Sequence, residues 1–337
     1  MATLNTLYPT LLDLAQMPEN KDASDVINLL VALNPILMDA PAFPCNDGTR
    51  HKTIMKTGLP SVTWTKLYQG IQASKGSKQT VIDTTGMVQS ASQVDQRLVD
   101  IFEKAEDKAS MRMDEANDHL EAMAQEMATA IFYHDSSLDP SKPMGLSPRF
   151  NLSTAENGNQ IIKGGGSGSD NASIWLITWG KNANHLIYPK GYMAGVDRKD
   201  RGLVPVADAS GNTYFAYREE FSAHFGLSVR NWQYIVRICN IDVSELTTDA
   251  ATGAYIVDLM TEAYYRHKGR RLNIGKTYFY ANTTIVKFLD YQARKKTNIN
   301  LFLGPDTTGP NAKEVLQFRG IPIHECDALL NTEATVP

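Results

Sequence analysis

The 337-residue chain has no apolar run near the roughly 18–20 residues that span a bilayer, which argues against a helical membrane protein. Cysteine is scarce: Cys45, Cys239 and Cys326 are odd in number and far apart, which suits reduced thiols and disfavours a disulfide scaffold. No Lys or Arg precedes Lys21, so the charged start of a secretory signal is missing. Positive charge is not in excess. Lys and Arg total 33 against 37 Asp and Glu, a net charge of -4, which speaks against a dedicated nucleic-acid binder. No repeat is visible, so a solenoid or propeller is not indicated. Apolar residues make up 42% and charged residues 21%, enough for a large core in two domains or one large domain with extensions.

Chemical signatures are also thin. The seven histidines show no paired ligand spacing, so neither a metal nor another cofactor is expected. The GGGSGS stretch (164–169) lacks the Lys-Ser/Thr ending of a phosphate loop and reads as a linker. Cys326 lies near His324 and would share its strand face, which raises a thiol nucleophile as a distant rival. A structural cysteine is the stronger reading, and the protein is expected not to be an enzyme.

What is present is a change of texture along the chain. Residues 1–47 carry two short helical patterns broken by prolines and read as an arm. Residues 48–91 read as a long β-hairpin with too few apolar residues to bury either face, so it should project. From Ser92, with Asp95 imitating a capping box, apolar residues recur every three or four positions to Ile131. That predicts a rod over 92–135, about 60 Å long. Strands are expected within 174–247, then a helix from about Ala254, a strand at 276–282, a helix at 283–295 and one or two strands near the end. Helices and strands mix without regular alternation, so the fold class is α+β.

Charge sharpens this picture. Residues 49–82 hold Arg50, Lys52, Lys56, Lys66, Lys75 and Lys78 with no acid, while 93–135 hold eleven acids against four bases. A basic hairpin thus precedes an acidic rod. A charge run on a helix is usually a solvated face. Yet a hairpin that points away from its own rod would meet the acids of a neighbouring copy, a head-to-tail contact that closes into rings or shells. The expected interface residues are Arg50, Lys52, Lys56, Trp64, Lys66, Lys75 and Lys78 on one copy, and Glu103, Asp107, Asp114 and Asp118 on another.

An arm, a projecting hairpin, a spine helix and a mixed remainder resemble the major capsid proteins of tailed bacteriophages with the HK97-type fold, the podovirus group in particular. The segments TGLPSVTWTKLYQGIQASKGSKQTVIDTTGM (57–87), SQVDQRLVDI (92–101), WGKNANHLIYPKG (179–191) and FRGIPIHECDALLNTEA (318–334) carry the likeness. The resemblance implies an N-terminal arm (1–47), an E-loop (48–91), a P-domain (92–135 and 170–247) and an A-domain (136–169 and 248–337). The segment order implies a rearranged topology. It further implies pentamers and hexamers in an icosahedral shell around double-stranded DNA held by non-specific contact. A separate scaffolding protein, a portal and a decoration protein would be the other partners, with assembly in the host cytoplasm and a final place in the virion. Some members cross-link an E-loop lysine to an asparagine of a neighbour. Lys75 and Lys78 sit at the tip, no matching asparagine can be assigned, and non-covalent contact is the reading. An encapsulin-like compartment is the rival within the same fold.

Overall fold

The computed structural model describes residues 34–56, 58–100, 105–207, 211–247, 253–272, 274–295, 301–305 and 314–337. The two short helices expected before residue 34 lie outside them. The chain begins with a short helix α1 (Ile36–Asp39) and strands β1 (Ala42–Pro44), β2 (Arg50–Lys56), β3 (Lys78–Thr84) and β4 (Gly86–Asp95). Helices α2 (Gln96–Asp100) and α3 (Ala105–Tyr133) follow. Next come β5 (Ile161–Lys163), β6 (Asn171–Trp179), β7 (Asn184–Tyr188), β8 (Val196–Ala207), β9 (Thr213–Val229) and β10 (Ile235–Asp242). The last elements are α4 (Ile256–Arg266), β11 (Lys276–Ala281), α5 (Thr283–Lys295), β12 (Leu301–Pro305), β13 (Glu314–Phe318) and β14 (Ile321–Glu325).

Four expectations are corrected. The hairpin proper is β2–β3 and ends at Thr84, because the following residues leave it to pair with β9 from Gly86↔Phe225 to Asp95↔Ala216. Ser92 is therefore a buried strand residue opposite Glu219, not a helix cap. The cap is Asp95, whose Oδ1 accepts the Arg97 N–H at 2.8 Å. The helical stretch is shorter than 92–135: among the described residues it begins at Gln96 and ends at Tyr133, and α3 alone has 29 residues, about 44 Å. It stops because the returning chain occupies its last carbonyls, Leu146 N–H on Ile131 and Gly145 N–H on His134, both at 2.8 Å. Finally, the glycine-rich stretch is no loose linker. Gly164 and Gly166 donate their N–H groups to the Cys239 and Asn240 carbonyls at 2.7 and 2.8 Å, so the chain packs on β10 through backbone.

Central strands β6 and β10 are buried along their whole length. On one face, Trp175, Ile177, Trp179 and Tyr280 join Leu120, Met123, Met127 and Ile131 of α3 in a first core. On the other, Ile174, Leu176, Val236, Ile238 and Phe279 meet Ile256, Met260, Ile285 and Leu289 of α4 and α5 in a second. Leu146 and Phe150 also lie in the first core, although the family resemblance groups their stretch with 248–337.

The long strand β9 leaves this centre and is flanked by β4 and β8, forming a three-stranded arm under α3. Its odd positions Phe221, Ala223, Phe225, Leu227 and Val229 are all buried, as the alternation predicts. Strand β8, whose VDRKDRGLVPVA sequence opens with a run of five charged residues after Val196, was not expected. It forms because β9 offers it eleven paired positions, a tertiary override of weak propensity.

Two buried histidines link this fold to pH. Burial pushes His185 down to about 3 and His267 down to about 4. Both stay neutral in the fold but take a proton below pH 6.5 once unfolded, so their contribution is complete above pH 6.5 and lost as pH falls. Each withdraws on the order of 3 kcal/mol by pH 4. Thermal unfolding of unassembled subunits should show a midpoint that drops between pH 6.5 and 4. A flat profile contradicts the buried neutral state.

Candidate inter-subunit surface

The hairpin is a two-stranded sheet separate from the main one. Its base is fixed. Asp83, nearly sealed from water, accepts from Arg149 at 2.8 Å, and the Thr85 N–H and hydroxyl both donate to the Thr49 carbonyl at 3.2 Å. Gly226 lets β9 pass beneath this corner, since a Cβ there would lie 2.6 Å from the Thr84 carbonyl oxygen. Beyond the base, 59–75 is exposed throughout and has no strand partner.

That tip carries Leu59, Val62, Trp64, Leu67, Tyr68 and Ile71, all exposed, with Trp64 at 99% of its full accessibility. Single exposed apolar residues need no explanation, but six within thirteen positions make an exposed apolar patch, the kind of surface that marks a candidate interface. Covering one such side chain contributes about 1.5–3 kcal/mol, against about 0–1 kcal/mol for an exposed ion pair. The apolar set therefore outweighs the basic set that the sequence brought forward. Apart from Trp64 it was missed, because its spacing follows neither a period of two nor one of 3.6.

The expected interface residues fall as follows. Arg50, Lys66, Lys75 and Lys78 are exposed on the hairpin, and Lys66, Lys75 and Lys78 have no carboxylate partner among the described residues. Lys52 is exposed too, but Asp47 takes it at 2.7 Å, so part of its charge is spent within the chain. Lys56 stands opposite Lys78 at the end of the ladder. On the rod, Asp118 is exposed. Asp107 and Asp114 lie on α3, with side chains outside the description, and Glu103 lies outside the described residues altogether. No ion pair joins the hairpin to α3 among the described residues.

Sequence reasoning also missed what holds the rod on its arm. Arg112 of α3 reaches Asp200 of β8 at 2.7 Å and Glu219 of β9 at 2.6 Å, and lies over the Tyr217 ring. Arg198 closes the cluster on Glu219 at 2.7 Å. A signal existed: Glu219 stands on the buried parity of β9, where an acid requires a cationic partner. A second buried network holds the far end of α3. Glu333 accepts from Arg237 at 2.7 Å, from Tyr133 at 2.5 Å and from Ser173.

The thiol rival fails on geometry. Cys326 is fully buried, burial pushes its pKa up to about 12, and His324 is engaged by Asp39 at 2.7 Å. The buried Asp39 also accepts from Tyr280, which accepts from Trp179, so the cluster ties α1 to the sheet.

A chain with a projecting hairpin of this kind and a rod on a three-stranded arm belongs to the class of shell-building phage capsid proteins with the HK97-like α+β fold. The family model described as major capsid protein GP7 matches residues 18–337. A cryo-EM structure of bacteriophage Epsilon15 is 32% identical, covers 100% of this chain and 99% of its own, and superimposes with a TM-score of 0.71. The bacteriophage JBD30 capsid follows at 11% identity, 89% and 92% coverage and a TM-score of 0.48. The SrpI encapsulin from Synechococcus elongatus reaches 9%, 62% and 88%, and 0.42. No curated protein matches. The chain belongs to the major capsid protein GP7 family, and its place is the capsid of the virion. No helix among the described residues is long and apolar enough to cross a membrane.

If the tip seats on a neighbour, Trp64→Ala with Tyr68→Ala should leave the thermal midpoint of the unassembled subunit within about 1 kcal/mol of wild type, because neither side chain is buried there. Shell yield by light scattering should fall at least roughly tenfold. Lys75→Glu with Lys78→Glu should reduce yield less, in keeping with exposed pairs. Unchanged yield in the Trp64/Tyr68 variant removes the tip from the interface.

Proposed function

We propose that this capsid protein assembles into pentamers and hexamers of an icosahedral shell that encloses double-stranded DNA. The observation that carries the reading is the hairpin tip, whose apolar side chains are left in water by a base too rigid to fold back. A neighbouring copy supplies the cover. Around the apolar tip, Arg50, Lys56, Lys66, Lys75 and Lys78 face acids such as Glu103, Asp107, Asp114 and Asp118 of that neighbour, with Lys52 contributing least. The contact is non-covalent, and no bond is made or broken. Each pair is weak, but every copy is gripped by several others, and effective concentration turns weak contacts into a lasting shell.

The division into an arm, an E-loop, a P-domain and an A-domain belongs to this proposal. The two cores support it, with 136–160 drawn toward the spine helix. A separate scaffolding protein, a portal and a decoration protein are the further partners of such a shell.

Light scattering with negative-stain imaging of the same fractions, followed by nuclease treatment, tests the reading. Shells or their pentamers and hexamers, with nuclease-protected double-stranded DNA in particles purified from the phage, are the expected result. Shells that hold a protein cargo in place of DNA would favour the compartment reading. A compact closed dimer would contradict both.

A further inference from the structure

The most basic stretch of the chain is neither the hairpin nor the rod. Between Arg266 and Lys276 lie Arg266, Lys268, Arg270, Arg271 and Lys276, with no acid among them. Arg266 is committed to Glu262 at 2.5 Å and to the Asn159 and Ile161 carbonyls. The other four have no carboxylate partner among the described residues. A sixth cation, Arg319, joins them from the turn between β13 and β14.

Two aromatic rings, the half-buried Tyr264 and the exposed Tyr265, organise this strip. Arg270 lies over Tyr264 at 5.4 Å and over Tyr265 at 4.8 Å. Arg319 lies over the same two rings at 5.4 and 5.3 Å. Stacking holds a guanidinium plane in place, and Arg270 Nη1 is further pinned by donating to the Tyr264 carbonyl at 2.9 Å, which leaves its other N–H groups for a ligand. Arg319 Nε is buried without an acceptor. Its residue stands at φ 52°, before Gly320 at φ 80°, in a two-residue turn whose first position favours Asn, Asp or Gly. The site thus keeps an arginine where its backbone disfavours one.

The base beneath is stiff. A Cβ at Gly269 would lie 2.7 Å from His267 and 3.1 Å from Thr178. The His267 Nε2–H lies 3.0 Å from both the Tyr234 carbonyl and the Thr178 hydroxyl. Because a carbonyl only accepts, Nε2 carries a proton, and burial keeps the ring neutral. The cations therefore sit on a fixed turn and lose little freedom on binding.

We propose that this strip binds the phosphodiester backbone of double-stranded DNA without sequence preference. The inference rests on the reading that the shell encloses such DNA, and adds the surface that touches it. A run of one-sign charge with two arginines gathered over the same rings suits the charge of a phosphate backbone, and planar arginine forks suit phosphate oxygens. The chain is acidic overall, so the strip is not a by-product of basic composition.

The test is fluorescence anisotropy with a labelled duplex of about 30 base pairs, titrated from about 50 to 200 mM salt against unassembled wild type, R270A/R319A and R270K/R319K. The alanine variant should lose roughly tenfold or more in affinity and flatten the salt slope by about two, while the lysine variant keeps the slope. In the wild type, duplex should shield Lys268 and Lys276 from acetylation read by mass spectrometry, which needs no variant to fold. Unchanged affinity and slope, or no shielding, overturns the proposal. So does a variant that binds DNA normally but no longer assembles, since the strip is then a contact with another copy. Phage particles that hold protected DNA while the strip fails these tests leave the shell reading standing. Particles without DNA remove that reading whatever the strip binds.

Discussion

Six apolar side chains on a hairpin tip that the described residues leave uncovered set the terms for the rest of this molecule. Water disfavours that surface by several kcal/mol, and the tip is held away from the body by a base of backbone hydrogen bonds and the Asp83–Arg149 pair. A loosely tethered hairpin would collapse onto its own sheet. A fixed one keeps the tip presented, and the cost of ordering it is met before the neighbour arrives.

A presented tip is useful only if the body behind it resists load. Strands β6 and β10 are sandwiched between two cores, so the sheet centre cannot shear without opening both. The rod is fastened to the arm by Arg112 on Asp200 and Glu219, and near its other end by the Tyr133–Glu333–Arg237 network. Removing one partner of a buried pair such as Arg237–Glu333 costs about 3–5 kcal/mol, chiefly through the charge left behind. These clamps join elements far apart in sequence. They make the hairpin, rod and arm move together.

Much of the outline was legible in the sequence. The 3.6-residue recurrence of Leu120, Met123, Met127 and Ile131 gave the core face of the rod, and the alternation from Phe221 to Val229 gave the inner face of β9. Boundaries were harder. Ser92 looks like a helix cap, but ten paired positions on β9 outweigh one capping hydrogen bond. Strand β8 has no apolar face of its own and exists through its neighbour. The charge asymmetry drew attention to the hairpin but not to its apolar tip: Asp47 takes up Lys52, while Leu59, Tyr68 and Ile71 stand exposed at a spacing with no strand or helix period. Pairings such as Arg112–Glu219 depend on tertiary register, which no local pattern encodes. Membership of the GP7 family says what the protein builds, and the exposed tip is the proposed grip on a neighbour.

Trp64 reports on the central claim directly. Trp175 and Trp179 are buried, Trp232 is half-buried and Trp64 is exposed, so the difference in acrylamide quenching between wild type and W64F isolates the Trp64 signal. The account predicts that Trp64 is freely quenched in unassembled subunits and shielded in intact shells. Equal quenching in both states would contradict it, because the tip would then be as wet in the shell as in the free chain.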